Sequence, residues 1–490
     1  MQPVLTAEQM RQVDQQASSS GTPAGQLVER AGTAVASEAV RLLGSGGTYG
    51  RRIVVVAGPG NNGADGRVAA ALLDRRGARV RIVDARDAPS RLPEADLVID
   101  AAFGTGFHGE YEAPDPGGAL VLAVDIPTGV DADTGVASGG AVRAAVTVTF
   151  GAFKPGLLVG DGRVLSGRIR LAPIGLPVPG TEMCSTRLVE DADIAALVPP
   201  REWSSHKWKT AIAVVAGSPG MHGAPTFLSR AAMRAGAGMV RLGIPGASPE
   251  ELPVSEAVSR VLPASGFDEA ALDGLERCKA LVLGPGLGTE RPTRASVRRL
   301  VTKAPIPVVI DADGLTALGE EGTAAEVIDP RAAATVLTPH EGEFARLAGG
   351  PPGPDRITAV RRVAARTGAI VLLKGPSTIV ADRTGRVLIA VAGTSRLATA
   401  GSGDVLSGVL GALIARGMAP LEAAGVAAHV HGRAAERGFA EGLVASDLPE
   451  LVAAVLSEAL AGHGLVGGAL EPGAPGEVVG SLTGEVVDAG

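Results

Sequence analysis

Runs of apolar residues alternate with polar, glycine-rich loops along the first third of the chain. These runs are 52–57, 80–83, 96–100, 119–124 and 145–150. A short continuous apolar run is typical of a parallel strand that is buried on both faces. The pattern therefore predicts an α/β fold with a parallel sheet, and the spacing of apolar residues predicts helices over 6–40 and 67–76.

The same alternation starts again after a stretch rich in proline and glycine between 173 and 200. The apolar runs of this second part are 210–216, 239–243, 280–283, 307–310, 335–338 and 370–374. We place a boundary near Glu182, which divides the chain into domains at 1–182 and 188–462. The last segment, 463–490, is rich in glycine and proline, and we expect a flexible tail there.

Composition is that of a globular protein and narrows the range of partners. The 490 residues are 46% hydrophobic and 20% charged, and their formal net charge is −7. This charge argues against general binding to nucleic acid or to anionic membranes. The two cysteines, Cys184 and Cys278, share no metal-ligand spacing, and no apolar run reaches the length of a membrane span. Because the N-terminus has no leader-like pattern, we expect a cytoplasmic protein.

The loop after the first predicted strand supports two interpretations. Residues 58–63 satisfy the pattern G-x-G-x-x-G, and Asp84 ends the next strand, where a dinucleotide-binding domain holds a ribose. A dehydrogenase is therefore one hypothesis. However, Asn61, Asn62 and Asp65 add side-chain oxygens where a pyrophosphate requires bare amides.

Further oxygen-bearing side chains follow the later strands of the same predicted sheet. Asp100 precedes the glycines of 104–106, and Asp125 precedes Thr128. Because parallel strands end at one edge of a sheet, these residues are expected to lie together. Hard oxygen ligands favour a group-1 or group-2 cation, and the alternative is that each aspartate caps a turn.

A second glycine-rich stretch, 398–408, runs Ala-Thr-Ala-Gly-Ser-Gly-Asp-Val-Leu-Ser-Gly. Its glycines permit a tight turn whose amides point from a helix N-terminus at an anion. Asp404, in the first helical turn, is placed to take a proton from a substrate hydroxyl during phosphoryl transfer. The alternative is a loop capped by an aspartate. Lys374, at a strand end, fits either a phosphate contact or a surface lysine.

Other signatures of known chemistry are missing from the sequence. No G-x-x-x-x-G-K-[ST], G-x-S-x-G or C-x-x-C pattern occurs. His429 and His431 are two residues apart and face different sides of a predicted helix, which disfavours a metal pair.

Two unrelated motif sets resemble the two halves of a known enzyme family. The first part resembles the YjeF N-terminal domain, the epimerase of hydrated NADH or NADPH (NAD(P)HX), at 58–66, 100–106, 124–135 and 150–156. The second part resembles the ADP-dependent NAD(P)HX dehydratase at 205–207, 220–224, 284–288, 338–343, 374–375 and 400–408. The resemblance implies a Rossmann-like three-layer α/β sandwich followed by a ribokinase-like α/β domain.

The resemblance also implies the chemistry. The first domain would interconvert the R and S epimers of NAD(P)HX. The second would dehydrate the S epimer to NAD(P)H while ADP is converted to AMP and phosphate. Potassium is implied in the epimerase domain, and Mg²⁺ with ADP as co-substrate in the dehydratase domain. Partners would be NADHX, NADPHX and ADP, with neither nucleic acid nor membrane, in a homo-oligomer.

The family's functional residues carry over by position. The residues implied to hold the hydrate in the first domain are Asn61, Asn62, Gly63, Ala64, Asp65, Gly104, Thr105, Gly106, Phe107, His108, Gly109 and Glu110, with Asp125 at the reacting centre. The implied potassium ligands are Asn62, Asp100 and Thr128. The implied dehydratase residues are Ala224, Gly288 and His340 in the hydrate pocket, Asp404 at the ring hydroxyl, and Lys374, Gly375, Pro376, Ser377, Thr378 and Gly403 at the nucleotide.

Three positions depart from the family pattern. Ala64 stands where glycine is usual, which requires a negative φ at that residue. Thr128 replaces the usual serine and keeps the oxygen, and Trp208 replaces a glycine. Two alternatives are a dehydrogenase fused to a small-molecule kinase, and a first domain that binds nucleotide as a regulatory module without turnover.

Overall fold

The computed structural model describes residues 1–107, 109–180, 183–319 and 323–461. The predicted boundary at Glu182 and the predicted tail over 463–490 lie outside the described residues. Two large sheets confirm the α/β prediction. Within the described ranges, no helix is both long and apolar enough to cross a membrane.

The first sheet is parallel throughout, with the strand order β3-β2-β4-β6-β8-β9. The strands up to residue 172 are β1 (Gln2–Pro3), β2 (Arg52–Ala57), β3 (Arg79–Asp84), β4 (Leu97–Ala101), β5 (Tyr111–Glu112), β6 (Leu120–Val124), β7 (Gly139–Gly140), β8 (Val146–Phe150) and β9 (Arg168–Ala172). The helices of this part are α1 (Ala7–Ser19), α2 (Ala24–Leu43), α3 (Asn61–Arg75), α4 (Pro155–Leu158) and α5 (Gly162–Leu165). Helices α2 and α3 share a buried aliphatic cluster with the sheet, as the continuous apolar strands require.

The single helix predicted over 6–40 is wrong, because α1 and α2 are separate. Gly21, with a φ of 87°, and Pro23, at the N-cap of α2, interrupt the helical pattern. The predicted cap at Thr6 is confirmed, since its hydroxyl accepts a hydrogen bond from the Gln9 amide. The helix predicted over 67–76 begins earlier, at Asn61, so the motif residues 61–66 are helical.

The second sheet has the strand order β1-β10-β19-β18-β17-β16-β15-β14-β11-β12-β13. Its remaining strands are β10 (Thr186–Leu188), β11 (Ala211–Val215), β12 (Met239–Pro245), β13 (Val258–Leu262), β14 (Ala280–Leu283), β15 (Val308–Ile310), β16 (Thr335–Leu337), β17 (Ile370–Leu373), β18 (Thr378–Ala381) and β19 (Val387–Ala390). The apolar runs predicted the parallel centre from β12 to β17. Strand β18 pairs antiparallel with both β17 and β19.

Helices cover this second sheet on both faces, in two large buried clusters. They are α6 (Asp191–Leu197), α7 (Gly223–Arg234), α8 (Phe267–Leu272), α9 (Arg291–Lys303), α10 (Asp313–Leu318), α11 (Thr323–Ile328), α12 (Glu341–Ala348), α13 (Arg356–Thr367), α14 (Ser402–Ala415), α15 (Pro420–Arg437) and α16 (Leu448–Ala461). Helix α14 is buried along almost its whole length, and α7 and α15 pack against it.

The two parts of the chain are joined by more than the connecting segment. Strand β1, at the start of the first predicted domain, pairs antiparallel with β10 at the edge of the second sheet. Leu157 and Leu158 of α4 belong to the same apolar cluster as Leu373 and Ile379 beside the second sheet. The parts therefore share a core.

We expect Gly63→Ala, in the first turn of α3, to destabilise the fold, and Gly60→Ala, at the N-cap of the same helix, to be neutral. A Cβ at Gly63 would lie 1.9 Å from the carbonyl oxygen of Gly58, whereas a Cβ at Gly60 would meet nothing within 4 Å. Forced overpacking of this kind costs about 1–3 kcal/mol. Urea unfolding of both variants measures the difference, and an equal free energy of unfolding would contradict the packing described here.

Candidate active sites

A cavity of about 750 Å³ in the first part of the chain opens where β2, β4 and β6 end. Its wall combines the motif residues Asn61, Asn62 and Asp65 with Asp125 and with residues 104–107. Helix α1 closes one side through Asp14 and its neighbours, which the sequence analysis did not single out. The parallel sheet thus collects these loops at one edge, as predicted.

Asp125 is held in an unusual conformation directly after β6. Its φ is 67°, in a region that non-glycine residues seldom adopt. The Nζ atom of Lys154, which is 1% exposed, lies 2.5 Å from its Oδ1 atom and also donates to Thr149 Oγ1 and Phe150 O, at 2.9 Å each. A buried lysine with these partners holds the Asp125 side chain in one position at the cavity wall. Strain at such a residue is typical of functional sites.

Among the described residues, Asp65, in the same cavity, has no cationic partner of this kind. Burial raises the pKa of its carboxyl to about 8, and the negative charges of Asp125 and Asp14 contribute to the rise. Near neutral pH the cavity therefore contains a protonated Asp65 and an ion-paired Asp125. Two carboxyl groups whose environments separate their protonation states form an acid–base pair.

The three predicted potassium ligands come from different elements: Asn62 from the first turn of α3, Asp100 from the end of β4, and Thr128 from the loop after β6. Asp100 accepts hydrogen bonds from the Thr128 amide at 2.9 Å and from its hydroxyl at 2.8 Å, and burial nevertheless raises its pKa to about 6. Asn62 is buried, and its Nδ2 atom has no hydrogen-bond partner in the described part of the chain. A Cβ on Gly104 would lie 3.3 Å from Asn62 Oδ1, so the loop after β4 passes close to this amide.

As metal ligands, the oxygen atoms of these three side chains fit a monovalent cation better than a transition metal. The described residues contain no group of three His, Cys, Asp or Glu side chains placed to hold a metal ion. The oxygens of Asp100, Thr128 and Asn62 are hard ligands, and the buried Asp100 has no cationic side chain among its hydrogen-bond partners.

Other predicted residues of the first site differ in their relation to the cavity. Phe107 lines the wall and stacks on Phe103, with ring centroids 4.9 Å apart. Gly109 and Glu110 are exposed, and His108 lies outside the described residues. Gly63 and Ala64 lie in the first turn of α3, and Ala64 has a negative φ, so its methyl group is accommodated.

Asp84, the residue that the dehydrogenase hypothesis assigns to a ribose, is instead paired with an arginine. The side chain and amide of Arg86 bind the Asp84 carboxylate, at 3.0–3.2 Å.

In the second part, Asp404 lies in the first turn of α14, as predicted. Gly401, with a φ of 88°, forms the left-handed N-cap. Burial raises the pKa of Asp404 to about 7, helped by the charge of Asp311 and opposed by that of Lys374. A carboxyl group with a pKa near 7 is suited to general base catalysis at neutral pH.

Lys374 faces this carboxylate from the end of β17 and is not a surface lysine. Its Nζ atom lies 2.9 Å from Asp311 Oδ1 and 3.9 Å from Glu343 Oε2, and its side chain is 21% exposed. Ser407, one turn after Asp404, donates to the other oxygen of Asp311 at 2.7 Å. A Cβ on Gly403 would lie 3.5 Å from Lys374 Nζ, so a positive charge meets the amide end of α14.

Asp311, Glu343 and Ser407 were not predicted as site residues. Glu343 and Ser407 lie within the motifs 338–343 and 400–408, and Asp311 directly follows the apolar run 307–310, but their side chains meet only in the folded structure. The wider site includes Gly288, whose amide donates to Asp313 Oδ2 at 2.9 Å. His340 forms the N-cap of α12, where its Nδ1 atom accepts a hydrogen bond from the Gly342 amide.

The remaining predicted residues of the second site lie around the same loops. Ala224 is in the first turn of α7, and its Cβ would be 3.6 Å from a Cβ on Gly286. In the turn between β17 and β18, Gly375 and Pro376 are exposed, whereas Ser377 is buried and Thr378 begins β18.

The two histidines of α15 have separate environments. His429 Nε2 lies 2.8 Å from Asp191 Oδ1, while burial lowers the pKa of His431 to about 4.

Both halves of the chain match known protein families. A family model described as NAD(P)H-hydrate dehydratase matches residues 212–457, and one described as YjeF-related protein N-terminus matches 24–91 and 83–156. The bifunctional NAD(P)H-hydrate repair enzyme Nnr of Mycobacterium leprae is 38% identical over 448 residues, covering 86% of this chain and 90% of that protein. The Salinibacter ruber enzyme of the same name is 36% identical, covering 93% of this chain and 96% of that protein.

Among solved structures, the ADP/ATP-dependent NAD(P)H-hydrate dehydratase from Bacillus subtilis, co-crystallised with ATP and Mg²⁺, is 27% identical. It covers 55% of this chain and 97% of its own, with a TM-score of 0.48. The identity to the Nnr proteins extends over most of both chains, and both domain models match. This chain therefore belongs to the family of bifunctional NAD(P)H-hydrate repair enzymes.

Proposed function

We propose that the two sites divide the repair of hydrated nicotinamide nucleotides between them. The first site interconverts R- and S-NAD(P)HX, and the second dehydrates S-NAD(P)HX to NAD(P)H as ADP becomes AMP and phosphate. One observation carries this proposal: Asp404, with a pKa of about 7, lies in the first turn of α14 beside Lys374. Because the substrates arise where NADH and NADPH are used, we place the enzyme in the cytoplasm.

At the second site, Asp404 takes the proton of the ring hydroxyl. The hydroxyl oxygen attacks the terminal phosphorus of ADP, and AMP leaves with the electron pair of the broken P–O bond. The phosphorylated oxygen then leaves the ring as phosphate, a ring C–H bond supplies the electrons of the new double bond, and the proton of that bond passes to water. Lys374 and the amides of α14 stabilise the negative charge that develops on the transferred group.

The turn from Lys374 to Thr378, together with Gly403, is assigned to the nucleotide, and Ala224, Gly288 and His340 to the hydrate. Magnesium would be carried on the nucleotide phosphates, whose charge it neutralises. The carboxylates of Asp311 and Glu343, next to Lys374, fit a site that receives such a complex.

At the first site, epimerisation breaks and remakes one bond at the ring carbon that carries the hydroxyl and adjoins the ring nitrogen. When this C–N bond opens, its electron pair stays on the nitrogen, the hydroxyl loses its proton and its oxygen becomes a carbonyl oxygen. Closure on the other face of the carbon reverses these changes. Asp125, paired with Lys154, takes the hydroxyl proton, and the protonated Asp65 in the same cavity donates a proton to the nitrogen. The start of α3, residues 61–65, and residues 104–110 are assigned to the substrate. Potassium would be held by Asn62, Asp100 and Thr128, where it supplies a positive charge beside the buried Asp100 carboxylate.

We also propose a homo-oligomer. The edge strand β13 supports this assignment, because its side chains Val258 and Val261 are exposed at the end of the sheet.

Asp404→Asn and Asp125→Ala are expected to separate the two activities. The first variant should lose about 10²–10⁴-fold in dehydration rate, because it lacks the base, and keep epimerisation. The second should do the reverse. The return of NADH absorbance from S-NADHX measures dehydration, and chromatography of the R and S epimers without ADP measures epimerisation. The activity that each variant retains shows that the variant is folded. A normal rate of the reaction that a variant should lose would remove its residue from the mechanism.

Dehydration is expected to depend on pH through Asp404. The base must be ionised, so kcat/KM should rise tenfold per pH unit below the pKa of about 7 and level off above it. Initial rates over a pH series with saturating ADP test this expectation. A flat profile through this range would contradict a base with the protonation described for Asp404.

Potassium is expected to raise the melting temperature of the protein, and to do so more at high pH. The pKa of Asp100 is raised in the folded state to about 6, so its ionised form costs stability as pH rises through that value, and a bound cation offsets this cost. Saturation at about 100 times the dissociation constant would contribute about 2.7 kcal/mol. Choline chloride controls for ionic strength, and Asp100→Asn should abolish the difference between the two salts.

A further inference from the structure

One buried hydrogen bond links the first domain to the nucleotide turn of the second. The Ser377 hydroxyl donates to the carbonyl oxygen of Leu158, at 2.5 Å, and both residues are at most 5% exposed. Ser377 lies between the exposed Gly375 and Pro376 and the start of β18. The turn therefore has an open side, where the assigned nucleotide would bind, and one residue that anchors it from behind.

The anchor on the first domain is held in place by its own contacts. Leu158 ends α4, and the Gly156 amide within this short helix donates to the Ala132 carbonyl at 2.7 Å. A Cβ on Gly156 would lie 2.1 Å from the carbonyl oxygen of Asp131, so the helix and the loop before it are in close contact. Such packing leaves the Leu158 carbonyl little freedom to follow a displaced turn.

A second contact crosses between the domains near the same region. Arg163 Nη2, on α5, donates to the carbonyl oxygen of Val391 at 3.4 Å. Val391 follows β19 and precedes the segment that leads to Gly401 and α14. The short helices α4 and α5 therefore support both chain segments that approach Lys374 and Asp404 from the side of the first domain.

We propose that Ser377 is a positioning residue, which sets the nucleotide turn by bonding to Leu158 of the epimerase domain rather than to ADP. The inference rests on the proposed assignment of this turn to the nucleotide. Loss of the hydroxyl leaves the Leu158 carbonyl buried without its donor, and the turn moves to relieve this. The affinity for ADP falls, whereas the chemistry at Asp404 is unaffected once ADP is saturating.

The first test is Ser377→Ala in the full chain. We expect the KM for ADP to rise about three- to tenfold, the value of one buried hydrogen bond, with kcat and the KM for S-NADHX within about twofold of wild type. Ser377→Thr, which keeps a hydroxyl, should restore most of the affinity. Calorimetric titration with ADP in the absence of the hydrate should show the same change in affinity. An unchanged KM and unchanged ADP affinity in Ser377→Ala would overturn the proposal.

The second test separates positioning from direct contact with the nucleotide. Arg163→Ala removes the second of the two hydrogen bonds from α4 and α5, which runs to Val391 rather than to the turn. Because these short helices then lose part of their support against the second domain, we expect the KM for ADP to rise by about twofold or more. Arg143→Ala removes an exposed arginine of the same domain, serves as the control for loss of charge, and should leave the KM for ADP unchanged. An effect of Ser377→Ala without any effect of Arg163→Ala would assign the serine to the nucleotide itself and overturn the inference.

These results are separable from a failure of the proposed function. If wild-type protein does not dehydrate S-NADHX at saturating ADP, the function is wrong, whatever the variants do. The calorimetric comparison of ADP affinity needs no turnover, so it still decides whether Ser377 supports a nucleotide turn. If Ser377→Ala does not fold, Arg163→Ala against Arg143→Ala decides instead.

Discussion

The second site depends on how three charged groups share a largely buried space at the end of a sheet. Asp311 is 1% exposed and takes hydrogen bonds from Lys374 and Ser407, so its own charge is compensated. Within the part of the chain that the structure describes, Asp404 has no hydrogen bond of this kind from a lysine. Its burial and the nearby negative charge of Asp311 together raise its pKa to about 7. The same ion pair that stabilises one carboxylate therefore leaves the other poised to accept a proton. Replacing either Lys374 or Asp311 would therefore also change the protonation of Asp404.

The first site uses the same physical device with different partners. Lys154 compensates Asp125, while Asp65 is left to burial and to the negative charges around it. In both sites a lysine pairs with one carboxylate, and a second carboxyl group has its pKa raised towards or above neutrality. The arrangement provides an acid and a base from one residue type, because environment rather than identity determines which group is ionised.

The shared core explains how two sites of different chemistry belong to one folded unit. Strand β1 extends the second sheet, and the leucines of α4 pack among its residues, so the domains are not simply tethered. Lys154, beside Asp125, directly precedes α4, and Leu158, beside the nucleotide turn, ends it. A segment of five residues thus contacts both sites, and displacement at one end is resisted by the packing of the other.

The sequence by itself determined the α/β class, most strands, and the motif residues Asp125 and Asp404, because parallel strands produce long apolar runs and glycine loops mark their ends. It did not predict the break at Gly21 and Pro23, nor the antiparallel strand β18, where local patterns were ambiguous. Only the tertiary structure decided that Asp311 and Ser407 join Lys374, and that Ser377 faces Leu158. Burial, protonation and partnership depend on residues distant in the chain, and no local pattern contains that information.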